Sequence, residues 1–193
     1  MSQVDIIAIG CSTGGPTALV RLLPKLRSMV DTPILITQHG AGVFTDGLAK
    51  QISRISNSIT LVSKDFDAIK AGHIYIAPKG HHLTVIRDTM HVVCRLDNGA
   101  AENHFKPSVD PMLRSVAKTY GRRALAVILT GMGKDGLDGC KSIVSHGGRV
   151  LVQDEATSAV WGMPGVVAQA GLASGKIPLP LMADAIHRLH RTR

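Results

Sequence analysis

Short apolar runs alternate with amphipathic stretches along most of this chain, and no other feature limits its fold as strongly. Residues 4–9 read as an apolar strand, and residues 17–29 follow as a helix with Leu19, Val20, Leu22, Leu23 and Leu26 near one face, interrupted by Pro24. Residues 33–37 read as a buried strand, 43–55 as a second helix and Ile59–Val62 as a third strand. Strands separated by helices pair in parallel through right-handed crossovers. The middle differs: 73–77, 83–86 and 91–94 are short β runs broken by Pro78, Gly80, Arg87-Asp88 and Asp97-Asn98-Gly99. Such short breaks predict antiparallel hairpins attached to the main sheet. Alternation resumes with a helix over 111–120, a strongly apolar strand over 124–130, a helix over Leu137–Ser145, a strand over Arg149–Gln153 and a closing helix over 179–191. The expected fold is α/β: a doubly wound, mostly parallel sheet flanked by helices, with a small antiparallel hairpin.

Three of these strands end in unusual turns: Gly10-Cys11-Ser12-Thr13-Gly14-Gly15, Gln38-His39-Gly40, and Gly131-Met132-Gly133-Lys134-Asp135-Gly136. In a parallel sheet all three lie at the carboxyl edge, where α/β ligand sites form. If the first strand and the 124–130 strand are neighbours across the switch point, Ser12 and Asp135 flank one crevice and His39 reaches between them. A serine hydroxyl needs a base to become a nucleophile, and imidazole is the side chain that trades protons near neutrality. His39 is thus the candidate base, and Asp135 the candidate that orients it and stabilises its cation. Backbone N–H groups near Thr13 or Met132 are the candidate oxyanion donors.

Other readings of the same residues stand beside this one. Ser12 or Thr13 fits the cap of the following helix, and the glycine-rich turn fits a phosphate cradle. It matches neither G-x-G-x-x-G nor the P-loop, however. Asp135 equally fits the N-cap of the helix that begins near Leu137. The other histidines read as structural or solvated, and Cys11 reads as a buried small hydrophobe rather than a reactive thiol.

Composition narrows the classes. The 193 residues suit one domain spanning 1–193, and 45% hydrophobic with 19% charged residues is ordinary for a globular chain. No apolar run approaches the ~20 residues of a membrane span, and with no basic segment or small-residue cleavage site ahead of the first strand a secretory signal is not expected. Three cysteines without C-x-x-C spacing point to reduced thiols and the cytoplasm. The charge of +8 favours an acidic partner. Nucleic acid is not expected, because aromatics make up only 3% of the chain and no basic stretch interleaves with them. A merely soluble basic protein would carry the same charge.

These turns, with Ile9–Gly15, Ile36-Thr37-Gln38-His39, Tyr75-Ile76-Ala77-Pro78, Pro107-Ser108-Val109-Asp110, the stretch from Val127 to Gly136 and Gly162-Met163-Pro164, closely resemble the catalytic domain of CheB-type protein-glutamate methylesterases of bacterial chemotaxis. The resemblance spans nearly the whole chain. It implies hydrolysis of glutamate methyl esters on the cytoplasmic helices of methyl-accepting chemoreceptors, and deamidation of selected glutamines. The implied roles are Ser12 as nucleophile, His39 as base, Asp135 as orienting acid, and Thr13 and Met132 in support and oxyanion binding, with no metal or organic cofactor. Glutamate-rich receptor helices would suit the positive charge. The sequence departs from the family pattern in four ways: no receiver domain, Cys11 for alanine, Gly40 for methionine, and His104-Phe105-Lys106 for Arg-His-Arg. The alternatives outside this enzyme class are a non-catalytic docking module for acidic helices and a phosphate- or nucleotide-binding α/β protein.

Overall fold

In the computed structural model, which describes residues 3–27, 31–40 and 45–191, β1 (Ile6–Cys11) leads through α1 (Gly15–Arg27) to β2 (Ile34–Gln38), then through α2 (Thr45–Ser56) to β3 (Ile59–Val62) and β4 (His73–Ile76). The hairpin strands β5 (His82–Arg87) and β6 (Val92–Asp97) precede α3 (Val109–Tyr120). The second half runs β7 (Ala124–Ile128), α4 (Leu137–Ser145), β8 (Arg149–Gln153), α5 (Met163–Gln169), β9 (Gly175–Ile177) and α6 (Met182–Arg191). Seven strands form one sheet in the order β3-β4-β2-β1-β7-β8-β9, every pairing parallel.

Alternation along β1 explains the layering. Ile7, Ile9 and Cys11 point into a core shared with Leu19, Leu22 and Leu23 of α1, Ile52 of α2 and Ile186 of α6. Ile6 and Ala8 point into the opposite core, shared with Met112 and Val116 of α3, Ile143 of α4 and Val167 of α5. A strand so placed has no face for water, which is why its sequence is apolar at consecutive positions. Each fully buried isoleucine contributes about 1.5–3 kcal/mol. The chain builds outward from β1 to one side through β2, then returns to the other side at β7. The turns after β1, β2 and β7 are therefore neighbours at the carboxyl edge.

Three expectations need correction. The 73–77 run is not a hairpin strand: as β4 it pairs in parallel with both β2 and β3 inside the main sheet. Its Ile74, Tyr75 and Ile76 are all buried, so it needs cover on both faces, which a two-stranded hairpin cannot supply. The hairpin itself, β5–β6, is a separate two-stranded antiparallel sheet packed on α3, not an extension of the main one. Short elements α5 and β9 were not expected at all. Smaller differences occur at the ends. Helix α1 starts at Gly15 and continues through Pro24, and a 3-10 turn over Leu179–Leu181 precedes α6. Expected helical positions 28–29 and 43–44 lie outside the described residues.

Candidate active site

The register of β1 sets the site. Cys11 is paired with Gln38 on β2, and Gly10 with Ile128 on β7. One step further, the Ser12 N–H donates to the Thr130 carbonyl (3.0 Å), and the His39 N–H donates to the Cys11 carbonyl (3.0 Å). Ser12 is thus wedged between the other two turns. Its close neighbour is Gly131, where an added Cβ would lie 2.8 Å from Ser12 Cβ and 3.0 Å from Ser12 N. The carbonyls of Ser12 and Gly14, rather than a hydroxyl, receive the first N–H groups of α1 from Gly15 and Ala18. The capping reading of Ser12 and Thr13 is not how this helix starts.

His39 and Asp135 are joined directly, with Nε2 2.6 Å from Oδ2 and both side chains almost fully buried. Burial by itself would raise the Asp135 carboxyl. The hydrogen bonds from His39, the Val109 N–H and the Ser108 hydroxyl overcome that, and the carboxyl is held down to about 2. An ionised carboxylate only accepts, so the shared proton belongs to His39 Nε2. Nδ1 is buried without a protein partner, which leaves it the nitrogen available to Ser12. The structure contains no Ser12–His39 hydrogen bond, and such bonds commonly tighten only around substrate.

Asp135 does not cap its own helix. Gly136, with φ 93°, is the N-cap residue of α4. The Asp135 carboxylate instead sits at the start of α3, accepting from Ser108 Oγ (2.7 Å), Val109 N–H (2.7 Å) and Asp110 N–H (3.2 Å), and also from Asn103 Nδ2 (3.1 Å) and Gly136 N–H (2.9 Å). A helix N-terminus is electropositive and short of acceptors, so a buried anion suits it. This supply of acceptors also lets α3 begin at Val109, two residues before the expected start at 111.

Several supporting residues went unread in the sequence. Gln38 accepts the Cys11 thiol on Oε1 and donates through Nε2 to the Ser12 carbonyl (3.0 Å). Thr130 Oγ1 donates to the Thr13 carbonyl (2.9 Å) and accepts the Val160 N–H (3.0 Å), tying the serine turn to the loop after β8. His82 accepts the Ser108 N–H on Nδ1, a structural role as expected. Asp110 lies beside Asp135, and Phe105 stacks on His39 with ring centroids 3.7 Å apart. In the sequence Ser108 and Asp110 stood out only inside the Pro107-Ser108-Val109-Asp110 segment of the family resemblance, and Phe105 only as a departure from it.

The expected support residues are less enclosed. Thr13 is exposed and Met132 is 65% exposed, each beside Ser12 in its own turn. A cleft of about 510 Å³ opens beside the imidazole, lined by Pro16, His39, Gly40 and Leu48 among others. Cys11 is fully buried, and burial pushes its thiol far up, so it is not a reactive rival to Ser12. Among the described residues no three His, Cys, Asp or Glu side chains are grouped to hold a metal ion, and no helix is long and apolar enough to cross a membrane.

Comparison with known proteins places this chain in a family. A family model described as CheB methylesterase matches residues 7–186. A protein-glutamate methylesterase/protein-glutamine glutaminase of Paramagnetospirillum magneticum is 48% identical over 98% of this chain and 50% of its own length. One of Trichodesmium erythraeum is 47% identical over 96% of this chain and 53% of its own length. The chain therefore spans about half the length of these curated relatives. The crystal structure of the Thermotoga maritima CheB methylesterase catalytic domain superposes with a TM-score of 0.93 at 34% identity, covering 97% of this chain and 100% of that one. On this sequence and structural likeness, the chain belongs to the CheB methylesterase family.

Proposed function

We propose that residues 1–193 act as a catalytic domain that hydrolyses methyl esters of glutamate side chains on chemoreceptor helices in the cytoplasm, and deamidates selected glutamines there. The observation that carries this reading is the buried His39–Asp135 pair, which leaves His39 Nδ1 without a partner on the residue that follows Gln38, whose strand partner Cys11 precedes Ser12. His39 Nδ1 takes the proton of Ser12 as Oγ attacks the ester carbonyl carbon. The resulting oxyanion is met by N–H groups at Thr13 and Met132, each such donor worth roughly 3–4 kcal/mol in a dry site. The tetrahedral adduct expels the methoxy group, which leaves as methanol with the imidazolium proton. Water, deprotonated by the same nitrogen, then releases the glutamate carboxylate from Ser12. With a glutamine side chain the leaving group is ammonia and the remaining steps are unchanged.

Asp135 stays ionised throughout and stabilises the imidazolium. The net positive charge favours approach to glutamate-rich helices. The test is methanol release from methylated receptor membranes by wild type, Ser12→Ala and His39→Ala. Loss of release to near background in both variants, with the fold intact by circular dichroism, supports the assignment. Equal rates in all three remove it, and no release by any, together with binding of an acidic receptor helix, supports the docking module instead.

A further inference from the structure

Residues 102–105 form a tight turn whose two ends bond reciprocally: Glu102 N–H to the Phe105 carbonyl (3.1 Å) and Phe105 N–H to the Glu102 carbonyl (2.9 Å). Both central residues are left-handed, Asn103 at φ 52° and His104 at φ 68°. Two consecutive non-glycine residues in that region are uncommon, and such geometry persists only where surrounding contacts enforce it. The turn is fastened from outside by Glu102, whose carboxylate accepts Arg114 of α3 at 2.6 Å. Beyond it, Lys106 Nζ donates to the carbonyl (2.9 Å) and side-chain oxygen (2.7 Å) of Asn98.

Two side chains of this turn reach the site. The Phe105 ring lies 3.7 Å from the His39 ring, centroid to centroid, at an interplanar angle of 10°. Asn103 Nδ2 donates to Asp110 Oδ2 at 2.8 Å and to Asp135 Oδ1 at 3.1 Å. Imidazole accepts and donates only in its own plane, so a ring stacked on its face fixes that plane without competing for either nitrogen. Phenylalanine also carries no exchangeable proton and excludes water from the face it covers. The Asn103 amide, placed between two buried carboxylates, offsets their repulsion and holds Asp135 in line with Nε2.

We propose that the Glu102–Phe105 turn is a positioning clamp for the His39–Asp135 pair, in which Phe105 holds the plane of the imidazole and Asn103 holds the carboxylate. The proposal rests on the reading of His39 as the base. Its action is on the geometry of that base, not on the substrate.

The experiment compares wild type, Phe105→Leu, Phe105→Tyr and Asn103→Gly, the glycine chosen because it accepts the left-handed backbone while deleting the amide. Methanol release from methylated receptor membranes gives kcat and KM. Proton NMR of ¹⁵N-histidine-labelled protein follows the His39 Nε2–H signal and the ring-current shift of the His39 carbon-bound protons. Phe105→Leu should lower kcat roughly tenfold or more with KM little changed, since misplacing a reacting group costs on that order. It should also abolish the ring-current shift and broaden the Nε2–H signal by exchange with water. Phe105→Tyr, which keeps the stack, should retain both, while Asn103→Gly should broaden the Nε2–H signal alone and lower kcat. An unchanged kcat or an unbroadened Nε2–H signal in Phe105→Leu overturns the clamp. If wild type itself releases no methanol, the functional reading fails, and the NMR comparison still decides whether the turn holds the pair.

Discussion

Replacing Asp110 by asparagine should flatten one part of the pH dependence of stability. Asp110 is 2% exposed, accepts the Gly139 N–H on Oδ1 (2.7 Å) and Asn103 on Oδ2 (2.8 Å), and shares the α3 N-terminus with ionised Asp135. Burial lifts its carboxyl from 3.8 to about 6, Asp135's charge adds to the rise, and the hydrogen bonds from Gly139 and Asn103 oppose it. A carboxyl raised on folding binds its proton more tightly in the native state, so lowering the pH through about 6 stabilises the protein until the unfolded chain also protonates near 3.8. Integrated from about pH 7.5 to about pH 4.5, this one group stabilises the fold by about 2 kcal/mol. Asparagine cannot titrate, so that increment should vanish from the variant. Urea unfolding of both proteins across this range measures it; titrating groups remote from Asp110 cancel in the difference, and Asp135, held down to about 2, stays ionised in the folded protein over the whole range. The wild type should gain on the variant by about 2 kcal/mol toward acid. Parallel stability curves would refute the reasoning, because they would mean that Asp110 ionises in the folded protein as it does in the unfolded chain.

Two further outcomes are expected from the same geometry. Gly131→Ala puts a methyl 2.5 Å from Met163 Sδ and 3.0 Å from the Ser12 backbone nitrogen, so the serine turn must move. Its kcat should fall about a hundredfold, with a stability loss of about 1–3 kcal/mol, and wild-type turnover would show that the turn accommodates the change. Cys11, Cys94 and Cys140 are all buried, and burial, aided by Asp67, pushes the Cys94 thiol up to about 12. A thiol reagent at mildly alkaline pH should label none of the three in the native protein and all three after denaturation. Rapid native labelling would contradict the packing.

Apolar patterning carried the expectation of a site at one sheet edge a long way. Residues 6–9, 34–37 and 124–130 are buried throughout, and the turns that follow these strands do converge, bringing Ser12, His39 and Asp135 to one edge. The same patterning failed at 73–77, because four apolar residues read alike whether a strand lies inside a sheet or in a hairpin. It also missed β9, whose Gly-Lys-Ile has no periodic signal. Asp135 was legible as important but not in its contacts. A sequence suggests that a carboxylate caps the helix beside it, whereas this one caps a helix that begins at Val109. Phe105 was legible only as part of the His104-Phe105-Lys106 departure from the family pattern, and nothing in the sequence singled out Asn103.

What the sequence determined by itself is therefore the layered α/β plan and the candidacy of Ser12, His39 and Asp135, because burial patterns and turn chemistry are local properties of the chain. Only the tertiary structure decided which imidazole nitrogen faces the carboxylate, which helix holds that carboxylate, and what covers the base. His39 meets Asp135 across 96 residues of chain and Asn103 meets Asp135 across 32. Contacts at such separations exist only once the sheet has closed the distance, and their geometry follows from strand register and helix placement rather than from neighbouring residues.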